Sequence, residues 1–314
     1  MQLRRLAGLD VSAVGLGGNN FGGRMDLEAT RRVVHKALDL GITFFDTADA
    51  YGNRGGSEDY LGRVLGALGD RRKDIVLATK FGLPMDETGK LKGASRSYII
   101  RAVEASLKRL RTDWIDLYQL HRPDPLTPIE ETLRALDDLV RQGKVRRIGC
   151  SNLDAMQVIA AHETATRYGL ATFVSCQDEY SLLAREIEQD LIPTMRARGL
   201  SLLPYFPLAG GFLTGKYRRG QPPPKGTRLA ESPGHAEQFI NNRNWAIVEG
   251  LEQFAIGRGH TMIELAFSWL LASPVVASVI AGASTPEQVV QNVGAAGWSM
   301  SSADLAEIDH IAAK

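Results

Sequence analysis

The stretch GITFFDTADAYG, residues 41–52, ends an apolar run on a carboxylate, Asp46, and sets a phenol, Tyr51, five residues further on. Two later apolar runs finish in a similar way, VLATK on Lys80 and WIDLYQLH on His121. A pair of carboxylates would suggest glycoside cleavage, and a His-x-His pair a metal. Lysine, tyrosine, histidine and a single aspartate instead suit proton transfer to a carbonyl oxygen. A free tyrosine has a pKa of about 10 and is a poor acid at neutral pH, but a nearby ammonium can lower that by roughly 1 to 3 units. Lys80 can supply the charge. A buried lysine needs a counter-ion, which Asp46 provides, because an unpaired buried charge is strongly destabilising. His121 can donate to, or orient, the substrate oxygen. Singly, a strand-end aspartate is often a turn former or cap and a lone histidine a structural group; the set of four carries the reading.

These groups can meet only if the elements bring them to one rim. Apolar runs alternate with amphipathic segments along the whole chain, which predicts a parallel sheet with helical crossovers. Candidate strands fall at 12–18, 42–48, 74–82, 114–121, 145–152, 173–180, 200–206 and 276–282. Eight strands with helices between them predict a (β/α)8 TIM barrel, whose chemistry lies at the carboxyl ends of the strands. Residues 1–314 are expected to form a single barrel domain, with an N-terminal β-hairpin cap in MQLRRLAGLDVS and a C-terminal helix in SSADLAEIDHIAAK. TPIE at 127–130 predicts a helix start with Thr127 as N-cap, Pro128 at the first position and Glu130 closing a capping box; TPEQ at 285–288 repeats the device. Residues 262–283 predict a buried helix followed by a strand. The segment 207–240, rich in Gly and Pro, is expected to be a long functional loop rather than a crossover helix. GLGGNN, with Gly15, Gly17 and Gly18, lacks the third glycine of a dinucleotide fingerprint, since Asn20 stands there, and no helix opens after it.

Composition narrows the partners. With Lys+Arg 37 against Asp+Glu 36 there is no basic footprint for nucleic acid or a membrane surface, so a small molecule is expected. Glu264 and Pro274 interrupt the most apolar stretch, and no membrane span is predicted. No His/Cys/Asp cluster has metal-ligand spacing, so no metal is expected. The opening residues lack the apolar core of a signal peptide, and two cysteines, Cys150 and Cys176, suit a reducing compartment, which together point to the cytoplasm. Both are expected to stay thiols. Oligomeric state is left open.

Over essentially its whole length the chain resembles the aldo-keto reductases, in GITFFDTADAYG with GGSEDYLG, VLATKFG, DLYQLHRPD, GKVRRIGCSN and YFPLAGGFLTGKY. Among them it looks most like bacterial reductases related to potassium-channel beta subunits. The resemblance implies a carbonyl reductase using NADPH, with NADH possible, on a (β/α)8 barrel, and puts the family's tetrad on Asp46, Tyr51, Lys80 and His121. It places Ser151, Asn152 and Gln177 at the nicotinamide carboxamide and Tyr205 against the ring. Pro207, Leu208 and Gly210 follow the pyrophosphate. Lys216 and Arg228 supply charge, and Gly282, Ser284, Gln288 and Asn292 lie at the far end. Many members clamp a 2′-phosphate with an arginine near residues 282–288; here Ser284 and Gln288 stand there instead. The substrate pocket is expected to use Asn20, Phe21, Arg54, Met85, Arg122, Tyr180 and Phe206, with Arg54 or Arg122 able to hold an acidic substrate. Two other functions fit the residues: a nucleotide-binding, redox-sensing regulatory subunit with slow turnover, and a Schiff-base aldolase using Lys80.

Overall fold

A computed structural model describes residues 1–313. Eight parallel strands form one sheet: β3 (Val14–Gly17), β4 (Phe44–Asp46), β5 (Val76–Phe81), β6 (Ile115–Leu120), β7 (Val145–Ser151), β8 (Phe173–Glu179), β9 (Ser201–Tyr205) and β10 (Val279–Gly282). They neighbour one another in chain order, and β10 also pairs with β3. The remaining seam is closed by a parallel bridge between Leu202 and Val276, with backbone bonds Leu202 N–H to Val275 O and Ala277 N–H to Leu202 O. The result is a barrel. Its strands are covered on both sides, which explains why β5 and β6 are buried at every position, the polar Thr79, Lys80, Asp116 and Gln119 included.

Two strands precede the barrel, β1 (Leu3–Leu6) and β2 (Leu9–Ser12), paired antiparallel as a hairpin. Leu6 and Val11 cluster with the strand residues Phe44, Val76, Ala78, Leu117, Leu203 and Ile280, so the hairpin plugs the barrel. Helices α1 (Leu27–Asp39), α2 (Tyr51–Leu65), α3 (Arg96–Leu110), α4 (Ile129–Arg141), α5 (Ala155–Tyr168) and α6 (Leu191–Arg198) fill the successive crossovers. After β9 the chain forms two short helices, α7 (Arg228–Glu231) and α8 (Pro233–Phe239), before the long α9 (Asn242–Gly257) and α10 (Met262–Ala272) return it to β10. The 207–240 segment therefore holds short helices that its composition did not predict. Helices α11 (Pro286–Gly294) and α12 (Ser302–Ala312) end the chain, and no helix among the described residues is long and apolar enough to cross a membrane.

One helix start departs from expectation. Helix α4 begins at Ile129 with Pro128 as its N-cap and no side-chain cap bond; Thr127 donates instead to Asp124, and Glu130 pairs with Arg134. A cap contributes about 0.5–2 kcal/mol, whereas each buried leucine contributes about 1.5–3 kcal/mol. Leu133, Leu136 and Leu139 are all buried, so packing forms the helix without the box. At α11 Thr285 does cap Gln288 N–H, but the Gln288 side chain accepts from Ser284 N–H and Oγ rather than from the cap residue.

Candidate active site

Asp46 is the last residue of β4, Lys80 lies near the end of β5, His121 follows β6 directly, and Tyr51 opens α2. The barrel brings all four together. Lys80 Nζ donates to Asp46 Oδ2 at 2.6 Å, to the Thr47 carbonyl at 2.8 Å and to the Tyr51 hydroxyl oxygen at 3.5 Å. Asp46 Oδ1 accepts from Gln119 Nε2 at 3.1 Å and from Gln177 Nε2 at 2.9 Å, so both carboxylate oxygens are satisfied without water. Burial of Lys80 works to lower its pKa, but the Asp46 charge and hydrogen bond, with the Tyr51 oxygen, outweigh it and hold the ammonium above its ordinary value. The Tyr51 ring meets the His121 imidazole edge to face, centroids 5.6 Å apart. Burial, then the charges of Lys80 and Arg122, push His121 down to about 2. The imidazole is neutral. Its Nδ1 is buried without a partner, which leaves Nε2 as the nitrogen able to donate outward.

The turn after β4 is built for this placement. Gly52, Asn53, Arg54 and Gly55 all take left-handed backbone, φ 64°, 60°, 67° and 119°, before regular helix begins. A Cβ on Gly52 would collide with the Phe21 carbonyl oxygen, so the chain can double back against the loop after β3 only with glycine here. Helix α2 is then fixed by Glu58, a buried carboxylate that accepts from Thr79 Oγ1 at 2.6 Å and pairs with Arg109 Nε at 2.7 Å. One more carboxyl lies in the same turn. Asp49 is buried, neither of its oxygens finds a hydrogen-bond partner, and burial followed by the Glu58 charge raises its pKa to about 8.

At the ends of β7, β8 and β9, Ser151 Oγ donates to the Gln177 carbonyl at 2.7 Å, and Asn152 Nδ2 donates to the His121 carbonyl at 3.0 Å. Tyr205 donates its hydroxyl proton to Asn152 Oδ1 at 2.8 Å, so the half-buried ring stands beside the tetrad. The segment after β9 continues through buried Pro207, half-buried Leu208 and Gly210 at φ 66°. Arg228 Nη2 donates to Asn20 Oδ1 at 3.1 Å and Arg24 pairs with Glu231 at 3.1 Å, two contacts that tie this segment to the loop after β3. Burial lowers the pKa of both Arg228 and Lys216, and neither has an acidic partner among the described residues. Such cations suit a bound anion. Gly282 is exposed at the end of β10, Asn292 is buried on α11, and Ser284 is engaged with Gln288.

Of the expected pocket residues, Arg54 and Arg122 are exposed, Met85 and Phe206 are half-buried, and Asn20 serves as the partner of Arg228. Two placements are corrected. Phe21 is wholly buried in the hydrophobic core, so it supports the site rather than lining it. Tyr180 is buried against Trp269, with its hydroxyl donating to Glu188 at 2.8 Å, because the chain turns outward after β8. Gln119 was missed, although the alternation Leu117, Gln119, His121 along β6 puts it on the face of His121. Cys150 and Cys176 are buried neighbours with sulfurs 3.6 Å apart; the bond to Cys176, with burial, pushes the Cys150 thiol well up.

Residues 13–313 match a family model described as "Aldo/keto reductase family". The chain is 38% identical over 302 residues to "Putative voltage-gated potassium channel subunit beta" of Schizosaccharomyces pombe, covering 92% of this chain and 86% of that one. It is 35% identical over 309 residues to "Aldo-keto reductase YhdN" of Bacillus subtilis, covering 97% and 91%. It is likewise 35% identical over 316 residues to "L-glyceraldehyde 3-phosphate reductase" of Escherichia coli, covering 98% and 90%.

Proposed function

The chain belongs to the aldo/keto reductase family, and we propose that it reduces an aldehyde or ketone to the alcohol with NADPH. The observation that carries this reading is the phenol oxygen of Tyr51 lying 3.5 Å from a buried ammonium that Asp46 holds at 2.6 Å. A substrate carbonyl oxygen is received between the Tyr51 hydroxyl and Nε2 of the neutral His121. The nicotinamide, when bound, supplies the hydride to the carbonyl carbon. Tyr51 delivers its proton to the substrate oxygen as negative charge develops there, and Lys80 stabilises the charge left on the phenol oxygen. Asp46, locked by Gln119 and Gln177, keeps the ammonium in place without being consumed. The protonated state of Lys80 argues against a Schiff-base aldolase, which needs a free amine.

The residues present fit the nucleotide. Ser151, Asn152 and Gln177 offer amide and hydroxyl groups for the carboxamide, and Tyr205 offers a flat face for the ring. Pro207, Leu208 and Gly210 would hold the pyrophosphate, and Lys216 and Arg228, which have no acidic partner among the described residues, would supply charge toward the 2′-phosphate. Gly282, Ser284, Gln288 and Asn292 would hold the adenosine end. Ser284 and Gln288 bond each other, so the preference for NADPH over NADH rests on Arg228. Replacing Arg228 with alanine should lower kcat/KM for NADPH more than for NADH; an unchanged ratio removes Arg228 from coenzyme choice.

The central test is Tyr51→Phe. Nucleotide binding should stay near wild type, while turnover of an aldehyde panel should fall by at least about 10² to 10⁴, the contribution of a general acid. Near-normal turnover rejects Tyr51 as the acid. Slow turnover by the wild type across the whole panel, with tight nucleotide binding, would favour the second reading, a redox-sensing regulatory subunit; one relative is named a putative voltage-gated potassium channel subunit beta.

A further inference from the structure

Arg122 stands on the rim of the site with a fixed root and a free charge. The peptide that joins it to His121 is held by Asn152, whose Nδ2 donates to the His121 carbonyl at 3.0 Å, while Asn152 itself accepts from the Tyr205 hydroxyl at 2.8 Å. On the other side Pro123 follows, and the residue before a proline is confined to extended backbone. The loop beyond is pinned by Asp124, whose oxygens accept from Ala94 N–H at 2.8 Å, Leu126 N–H at 3.0 Å and Thr127 Oγ1 at 2.8 Å. That acid is therefore spent on the loop. The Arg122 side chain is exposed and has neither an ion-pair nor a hydrogen-bond partner among the described residues. Its charge is felt by the groups on both sides: it helps to hold His121 neutral, and it opposes the burial and the Glu179 and Asp178 charges that raise Tyr205 to about 12.

A second rim cation differs. Arg54, in the turn after Tyr51, faces Glu87 at 3.8 Å, so part of its charge is already answered. Of the two rim arginines only Arg122 is without an acidic partner among the described residues, although the charges of Glu179 and Asp178 are felt beside it at Tyr205.

From this arrangement we infer that Arg122 selects carbonyl substrates carrying an anionic group, a carboxylate or a phosphate, a few bonds from the carbonyl. The inference rests on the carbonyl-reductase reading above and deepens it. A carbonyl oxygen placed between Tyr51 and His121 directs the rest of a small substrate past the His121–Arg122 peptide. An oxyanion there meets a guanidinium whose planar fork matches it in two hydrogen bonds. The interaction is partly solvated, so the selectivity it produces is modest, about tenfold in kcat/KM rather than thousands.

The test compares matched pairs of aldehydes: 4-oxobutanoate against pentanal for the carboxylate, and glyceraldehyde 3-phosphate against glyceraldehyde for the phosphate. Wild type should favour the anionic member of at least one pair, and the pair with the larger ratio identifies the oxyanion. Arg122→Gln should lower that ratio about tenfold, and Arg122→Lys should keep part of it. The ratio cancels any general change in folding or in the chemical step, because both substrates use the same tetrad. Arg54→Gln should change it less. A wild type without preference in either pair, a ratio unchanged in Arg122→Gln, or an equal fall in Arg54→Gln overturns the assignment. Absence of turnover on all four aldehydes overturns the carbonyl-reductase reading and the inference with it; turnover without a preference overturns the inference alone.

Discussion

At the scale of single residues, the site is a chain of commitments that ends on one phenol. The ion pair behind that phenol is fully engaged: Asp46 by Lys80, Gln119 and Gln177, and Lys80 by Asp46, Thr47 and Tyr51. The types and strand-end positions of Asp46, Tyr51, Lys80 and His121 were legible from the sequence, because a charged or phenolic group closing an apolar run stands out against it. Gln119 and Asp49 were not, although strand alternation puts Gln119 on the face of His121, because only the folded barrel shows that Gln119 meets Asp46 and that Asp49 is buried. The proposed role of Lys80 has a direct consequence. Lys80→Met removes the charge beside the phenol while roughly keeping the stem's volume, and leaves Asp46 buried with only amide donors. Carbonyl reduction should fall by about 10² or more, because the charge left on the phenol oxygen as it gives up its proton loses the ammonium that stabilises it. Near-normal turnover in a variant that still binds nucleotide would show that Lys80 does not assist Tyr51.

At the scale of elements, placement of Tyr51 depends on a turn and a helix that must be anchored against the strain of the turn. Asn53 and Arg54 hold left-handed backbone, a conformation that costs non-glycine residues about 1–2 kcal/mol each. Something outside the turn must hold it. The anchor is Glu58 on α2, tied to β5 through Thr79 and to α3 through Arg109. The sequence could not announce this pair, 51 residues apart, although it did give the helices and strands that carry it. Arg109→Leu should leave Glu58 buried with one hydroxyl donor and destabilise the fold by about 3 kcal/mol, less than for a fully buried partner because Arg109 is a quarter exposed. Urea unfolding measures this directly. A loss below about 1 kcal/mol would mean the ion pair is no anchor, and α2 is held by its apolar face alone.

At the scale of the whole molecule, the barrel itself was readable from the alternation of apolar runs and amphipathic segments. What escaped was chain that follows no period: the short helices inside 207–240, and the outward turn that removes Tyr180 from the pocket. Burial of titratable groups is likewise invisible until the barrel closes, and it sets how stability responds to pH. His121, held down at about 2, is neutral when folded, so the unfolded chain takes up its proton first and stability falls as pH drops below about 6.5. Asp49, raised to about 8, and Asp178, raised to about 7 by burial, have the opposite sign. Each stays protonated in the fold where the unfolded chain has already ionised, so each removes stability as pH rises from about 4 towards its folded value. Between about 4 and 6.5 the histidine opposes them; above that its contribution no longer changes with pH. Asp49→Asn isolates one contribution, because asparagine resembles a protonated aspartate in shape and cannot ionise. The difference in unfolding free energy between variant and wild type should move in favour of the variant by about 1.4 kcal/mol per pH unit between pH 5 and 7, and level off above pH 8. Urea midpoints at four or five pH values would trace it. A difference that does not change with pH would show that Asp49 ionises normally in the folded protein, and that its carboxylate has found a partner that the static structure does not contain.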